Sequence, residues 1–143
     1  MPNANAVCDT FKLELLTGVH NFTPATDVFK IALYNSTSAM GNATTIYTTS
    51  NEITGTAYTA GGLVITSVTP TLGGGSTAYC DFNPDAQWTT STITARGALI
   101  YNSSKSNKAI VSLDFGSDKI SSAGDFVVQF PPAAGGTAII RIA

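Results

Sequence analysis

Short apolar runs with frequent alternation dominate the chain from residue 27 onward, a pattern typical of β-strands rather than helices. Gly, Pro or Asn separates most of these runs, at intervals of about ten residues. Short strands at that spacing predict an all-β sandwich or barrel, and about eight antiparallel strands in two sheets would form a jelly roll. The predicted strands are residues 27–34, 44–49, 63–68, 78–82, 87–94, 95–101, 109–115, 125–130 and 138–142.

Only residues 8–20 carry a helical pattern. Asp9 or Thr10 is a candidate N-cap, and Gly18 is a natural terminator. A helix of about ten residues is not stable alone, so it must lie against its own sheet or a neighbouring subunit. We therefore predict a single β-sandwich domain over 1–143, with 1–20 as an N-terminal arm and short helix. The apolar positions that define the helical face are Phe11, Leu15, Leu16 and Val19.

The remaining segments are rich in turn-forming residues. The long Ser/Thr/Gly stretch at 36–59 is either a loop excursion or a poorly ordered arm. Residues 83–85, Asn-Pro-Asp, predict a turn because Pro fixes φ and Asn and Asp bond their own backbone. Residues 102–107 predict a polar hairpin tip, and 116–118 predict a loop.

Charge is the unusual feature of the composition. Charged residues make up 11% of the 143 residues, against about 25% in an average soluble domain. A surface of Ser, Thr, Asn and Gly is less costly to desolvate than one of Lys and Glu, and interface cores are similarly poor in charge. We therefore expect self-association or a permanent place in an assembly, with a generic secreted β-domain as the alternative.

Several partner classes do not fit the sequence. The net charge is −2 with a pI near 5.0, and the seven basic residues are scattered, which argues against nucleic acid. No run approaches the roughly 18 apolar residues of a membrane helix. Residues 1–6 have no basic region and no apolar run, so we expect no secretory signal and a complete chain made in the cytosol.

Catalytic motifs are scarce. His20 lacks a local nucleophile and an orienting carboxylate, so a surface or helix-capping role is expected. Cys8 and Cys80 are expected to be buried thiols rather than a bridge, and with one histidine they do not make a zinc site. We therefore predict no enzymatic activity, no catalytic or metal-binding residues and no cofactor.

Acidic and aromatic residues leave two weaker possibilities open. Calcium could bind acidic loops, but the spacing matches no known loop and favours turn-capping aspartates. The aromatics could stack on sugars, but a role in the core or an interface is favoured. The acids concerned are Asp81, Asp85, Asp114, Asp118 and Asp125. The aromatics concerned are Trp88, Tyr47, Tyr58, Tyr79 and Tyr101.

Several segments together resemble a family of small proteins encoded by tailed bacteriophages, and the similarity covers nearly the whole chain. These segments are CDTFKLELLTGVH at 8–20, FKIALY at 29–34, YTAGG at 58–62, ARGALIYN at 95–102, FGS at 115–117 and IRIA at 140–143. Capsid cement (decoration) proteins, of this size, with jelly-roll folds and usually trimeric, are the role that this resemblance implies. It implies no catalytic residues.

The resemblance predicts a structural virion protein on the capsid surface, made in the host cytoplasm. Its expected partner is the major capsid protein, whose neighbouring subunits a homotrimer would clamp at local three-fold positions. Nucleic acid, membrane and small-molecule ligands are not expected partners. The alternative is a tail or fibre component that binds a glycan or receptor, and a small hydrolase using His20 is a more distant one.

The contact with a neighbour is expected to involve residues 1–20, because the helix cannot stand alone. On that hypothesis, deleting these residues removes particle binding and leaves a folded β-core.

Overall fold

Eight strands and one α-helix form the regular structure of residues 3–143, which the computed structural model describes. An antiparallel five-stranded sheet runs in the order β1-β7-β6-β2-β3, and an antiparallel three-stranded sheet runs β4-β5-β8. The predicted all-β fold with two antiparallel sheets and one helix is confirmed, while the finer jelly-roll assignment stays a prediction. The elements are β1 (Ala6–Val7), α1 (Asp9–Leu16), β2 (Phe29–Tyr34), β3 (Leu63–Ile65), β4 (Thr71–Leu72), β5 (Ala78–Cys80), β6 (Ala86–Asn102), a 3-10 turn (Ser103–Lys105), β7 (Lys108–Val128) and β8 (Ile140–Ile142).

A long hairpin of β6 and β7 is the centre of the larger sheet. β6 has 17 residues and β7 has 21, so the prediction of uniformly short strands is wrong for these two. Predicted strands 87–94 and 95–101 are one continuous strand, and 109–115 joins most of 125–130 in the other. The polar tip predicted at 102–107 is confirmed as the connection between them.

The expected loop at 116–118 lies inside β7 as a bulge. Ala95 pairs with Lys119 and Gly97 pairs with Asp114, so residues 115–118 of β7 lie opposite Arg96 alone. Gly116, at φ +77°, provides the left-handed backbone that such an insertion needs. The turn residues thus interrupt the register without ending the strand.

The Ser/Thr/Gly stretch at 36–59 is a loop held along the sheet. Its predicted strand at 44–49 is wrong, because only Ile46 makes a bridge, to Lys108. Elsewhere the loop docks through two further isolated bridges, from Glu52 to Tyr34 and from Thr56 to Thr92. Threonine-rich composition favoured a strand, but the segment pairs only at separate positions and forms no ladder.

The N-terminal segment is built into the domain. β1 pairs with β7, Ala6 opposite Ser112, and Phe11 of α1 is buried at 1% exposure. The structure does not support a folded core after deletion of 1–20, because the deletion would remove both features. The helix lies against β7 of its own domain.

No helix within residues 3–143 is long and apolar enough to cross a membrane.

The predicted limits and apolar face of the helix are only partly correct. Helix α1 begins one residue after Cys8, which occupies the N-cap position without a side-chain cap bond, so neither Asp9 nor Thr10 caps it. Gly18, at φ +73°, follows the helix end as predicted. Phe11 alone is buried in the helix, whereas Leu16 is 87% exposed.

A chain of aromatic rings joins the helix to the two sheets. Phe11 contacts Phe22 edge-on at 6.0 Å between ring centroids, and Phe22 stacks on Phe29 of β2 at 4.6 Å. Phe29 contacts Phe82, and Phe82 contacts Phe130, each at 5.7 Å. Pairs of this kind contribute about 0.5–1.5 kcal/mol beyond their burial. They belong to one continuous buried cluster.

Gly62 lies just before β3, where its backbone closely approaches β2. Its φ is +73°, and a Cβ there would lie 1.8 Å from the Ile31 carbonyl oxygen. We predict that Gly62→Ala lowers the free energy of unfolding by more than about 3 kcal/mol, because a left-handed alanine and a backbone clash add. Chemical denaturation measures the loss.

The matched control is Gly136→Ala, since nothing lies within 4 Å of a Cβ at that position. This control should remain within about 0.5 kcal/mol of the parent chain. Equal stability of both variants would contradict the β2–β3 contact.

Candidate functional site

His20 lies in a buried polar network, so its expected surface or capping role is wrong. Its side chain is 0% exposed, and its Nε2 lies 2.8 Å from the Glu14 carboxylate. Its Nδ1 lies 3.0 Å from the Asn102 amide nitrogen. Neither partner is a hydroxyl or thiol, so the arrangement is not a nucleophile–histidine pair. The network joins α1 to the tip of the β6–β7 hairpin.

Two cations complete this network. Lys108 Nζ donates to Glu14 at 2.8 Å, and Lys105 lies 3.7 Å from Asp27. Burial raises the pKa of Glu14, but the bonds from Lys108 and His20 outweigh it and hold that pKa below its usual range. Burial likewise raises the pKa of Asp27, but hydrogen bonds from the Asn21 N–H and the Asn102 amide outweigh it and hold that pKa below its usual range. Both carboxylates are therefore ionised at neutral pH.

The cysteines are buried free thiols, as predicted. Cys8 and Cys80 form no disulfide, and burial raises the pKa of each to about 11. A thiol with that pKa is almost entirely protonated at neutral pH and is a poor nucleophile.

Several of the candidate aspartates accept hydrogen bonds from backbone N–H groups. Asp85 accepts from the Phe130 N–H, and Asp114 accepts from Arg96 and the Gly116 N–H. Asp81 is 1% exposed, and burial raises its pKa. Within residues 3–143, no group of three or more His, Cys, Asp or Glu side chains is placed to hold a metal ion.

Most of the aromatic candidates belong to the core. Trp88 and Tyr101 are each 2% exposed, and Tyr47 stacks on Tyr101 at 4.6 Å between ring centroids. Tyr58 packs 5.9 Å from Trp88. The interpretation as core residues is confirmed for these four, and Tyr79 is half-buried.

Glu52 organises the tyrosines, a role that sequence analysis missed. Its carboxylate accepts from the Tyr58 hydroxyl at 2.6 Å, the Gly61 N–H at 2.7 Å and the Tyr47 hydroxyl at 2.7 Å. Burial, together with the Glu52 charge, raises the pKa of Tyr47 and Tyr58 far above the usual range, and that of Tyr101 to about 12. This cluster fastens the 36–62 segment onto the sheet. A lone Glu among threonines gave no sequence pattern for it.

Exposed apolar side chains lie on the small sheet, beside α1. Leu72, Ala78 and Ile142 form one row across β4, β5 and β8, by direct register. The row lies two residues from the buried pair Cys80 and Ile140 and therefore on the same face. The face of the small sheet that packs on the core therefore extends past its buried residues, and its outer row is exposed.

Helix α1 extends this apolar face. Two grooves of about 240 and 350 Å³ flank the helix and share the side chains of Leu15, Ile140 and Ile142. Leu16 is 87%, Leu72 72% and Ile142 54% exposed. We call Leu15, Leu16, Leu72, Ala78 and Ile142 the α1–β8 surface. Its chemistry is that of a contact surface and not of a reaction centre.

A separate groove of about 520 Å³ lies along β7, apart from the two grooves beside the helix. It includes the exposed side chain of Ile120, but Asp114, Lys119 and Asp125 also line it. Part of its polar lining is already engaged, because Asp125 accepts from Gln87. The α1–β8 surface is the more apolar of the two.

Comparison of the chain with models of protein families, with curated proteins and with solved structures finds no match. Functional inference therefore depends on the residues and contacts described above.

We predict that Glu52→Gln lowers the free energy of unfolding by about 2 kcal/mol, because an amide cannot accept all three hydrogen bonds. Tyr47→Phe, which removes one of the three donors, should cost about 1 kcal/mol. Urea denaturation followed by tryptophan fluorescence measures both. Parent-like stability of Glu52→Gln would show that the carboxylate does not fasten the loop.

Proposed function

We propose that this chain is a structural virion protein of a tailed bacteriophage, a capsid cement protein that binds between major capsid subunits. In this proposal it acts as a homotrimer with a jelly-roll fold on the capsid surface, after synthesis in the host cytoplasm. It performs no reaction and uses no cofactor.

The α1–β8 surface is the observation that carries the proposal. An exposed apolar row continuous with a core is costly in water and is typical of a protein–protein contact. Leu16 and Ile142 lie on separate elements at the two sides of this surface, so one partner can contact both. Apolar residues of this kind, buried against a partner, form the centre of stable interfaces.

The shortage of charge supports the same conclusion. Only 11% of residues are charged, and several of these charges are already engaged inside the chain. Examples are Glu14 with Lys108 and Arg96 with Asp114, each pair at 2.8 Å. Few free charges therefore need to be desolvated when a partner covers the surface.

The aromatic residues give no support to the tail or fibre alternative. Its glycan-binding form would use exposed aromatic rings that stack on sugars, but Trp88 and Tyr101 are buried. The cement role makes no use of exposed aromatics and depends on apolar contacts alone.

Mass action gives the mechanism. A protein that binds the assembled shell better than free capsid subunits stabilises the shell by its binding free energy. Many copies on one particle add these contributions, and the domain needs no change of shape.

Binding to particles that lack this protein tests the proposal. We predict that Leu16→Gln with Ile142→Gln weakens binding about tenfold or more, because apolar side chains at an interface centre are replaced by polar ones. Both side chains are more than half exposed, so the thermal midpoint should stay near that of the parent. Co-sedimentation with particles measures the affinity.

Val64→Gln is the matched control. Val64 is 63% exposed and lies on β3, at the opposite edge of the large sheet from β1. This variant should bind particles as the parent does. Failure of the parent chain to bind particles would overturn the proposed function, whereas parent-like binding by the double variant would overturn only the choice of surface.

A further inference from the structure

We infer that His20 is an acid-sensitive latch that holds helix α1 on the tip of the β6–β7 hairpin while its imidazole is neutral. This inference concerns how α1 is held within one chain, so it goes beyond the proposed function and does not depend on it.

The hydrogen-bond partners of Asn102 determine which nitrogen of the His20 imidazole carries the proton. The Asn102 carbonyl oxygen accepts from the Ser104 N–H at 3.0 Å. Its amide nitrogen lies 2.7 Å from the Asp27 carboxylate and 3.0 Å from His20 Nδ1. An amide nitrogen only donates, so Nδ1 must accept and carries no proton. Nε2 then carries the proton and donates it to Glu14.

A protonated imidazole does not fit these partners. With a proton on Nδ1, two donors would face each other across 3.0 Å. Rotating the Asn102 amide by half a turn would place its oxygen against the Asp27 carboxylate and its NH₂ against the Ser104 N–H. Either arrangement loses bonds at a residue that is 0% exposed, where water cannot replace them.

The surrounding charges are already balanced. The charged groups around His20 are Glu14 on α1, Asp27 before β2, Lys105 on the 3-10 turn and Lys108 on β7. Each carboxylate has a lysine partner, and Glu14 also lies 2.8 Å from His20 Nε2, so it would pair with a protonated imidazole as well. The cost of protonation therefore lies at Asn102, where a hydrogen bond is lost.

The consequence falls on α1. Glu14 is the only residue of α1 that His20 hydrogen-bonds in the described chain, and the same carboxylate receives Lys108 from the hairpin. Protonation of His20 breaks the Asn102 link, so that Glu14 holds α1 to the hairpin through Lys108 alone. With one of two links gone, the attachment of the helix loosens. Phe11 and Phe22, packed 5.1 and 6.4 Å from the His20 ring, would lose part of their packing as the helix loosens. The long β6–β7 pairing does not involve His20 and stays intact.

NMR on the intact chain tests the latch, and His20 is its sole histidine, so the ring signals need no separate assignment. We expect the folded chain to hold a neutral ring with the proton on Nε2. When the pH is lowered until the ring signals show protonation, hydrogen-exchange protection of amides such as Thr17 and Val19 should fall about tenfold or more. Protection in the central β6–β7 pairs should not change.

His20→Gln is the control because glutamine does not titrate in this range. Its α1 amides should show constant protection over the same pH interval, after correction for intrinsic exchange. Glu14 and Asp27 stay ionised throughout, since the pKa of each lies below its usual range. A proton on Nδ1 at neutral pH would overturn the inference. Unchanged α1 protection after His20 is protonated, or a neutral His20 until the whole domain unfolds, would also overturn it.

Discussion

The antiparallel pairing of β6 with β7 is the interaction on which the rest of this domain depends. It extends from Ala86 opposite Val128 to Asn102 opposite Lys108. β2 pairs with β6, and β1 pairs with β7, so the large sheet is assembled around this hairpin. Within β6, Gly97 leaves room for the side chain of Asn3, whose amide nitrogen would lie only 2.7 Å from a Cβ at this position. Backbone pairing, and not a large set of charges, defines the shape.

Buried polar clusters fasten the loops onto the sheet. Glu52 fastens the 36–62 segment with two tyrosine hydroxyls and one backbone N–H. Asn102 does the same at the hairpin tip, between His20 and Asp27. Buried networks of this kind favour one arrangement, because an unpaired member is costly. They also engage several of the few charged side chains, which is consistent with the proposed permanent interface with a partner protein.

Apolar periodicity predicted the fold class and most strands, because the longer strands carry the apolar residues of the core. It could not predict that β6 and β7 continue through their bulges, since a glycine such as Gly116 is as common in a bulge as in a loop. The apolar pattern of α1 predicted the helix but not its buried face, because the pattern includes Leu16, which is 87% exposed. Contacts distant in sequence, such as His20 with Asn102, leave no local pattern.

The most direct test of the proposed structural role is cryo-electron microscopy of the phage particle to which the proposal assigns this chain. The account predicts density for this domain on the capsid surface, repeated at local three-fold positions, with the α1–β8 surface against the shell. Density confined to the tail, or no density for this domain on the particle, would contradict it.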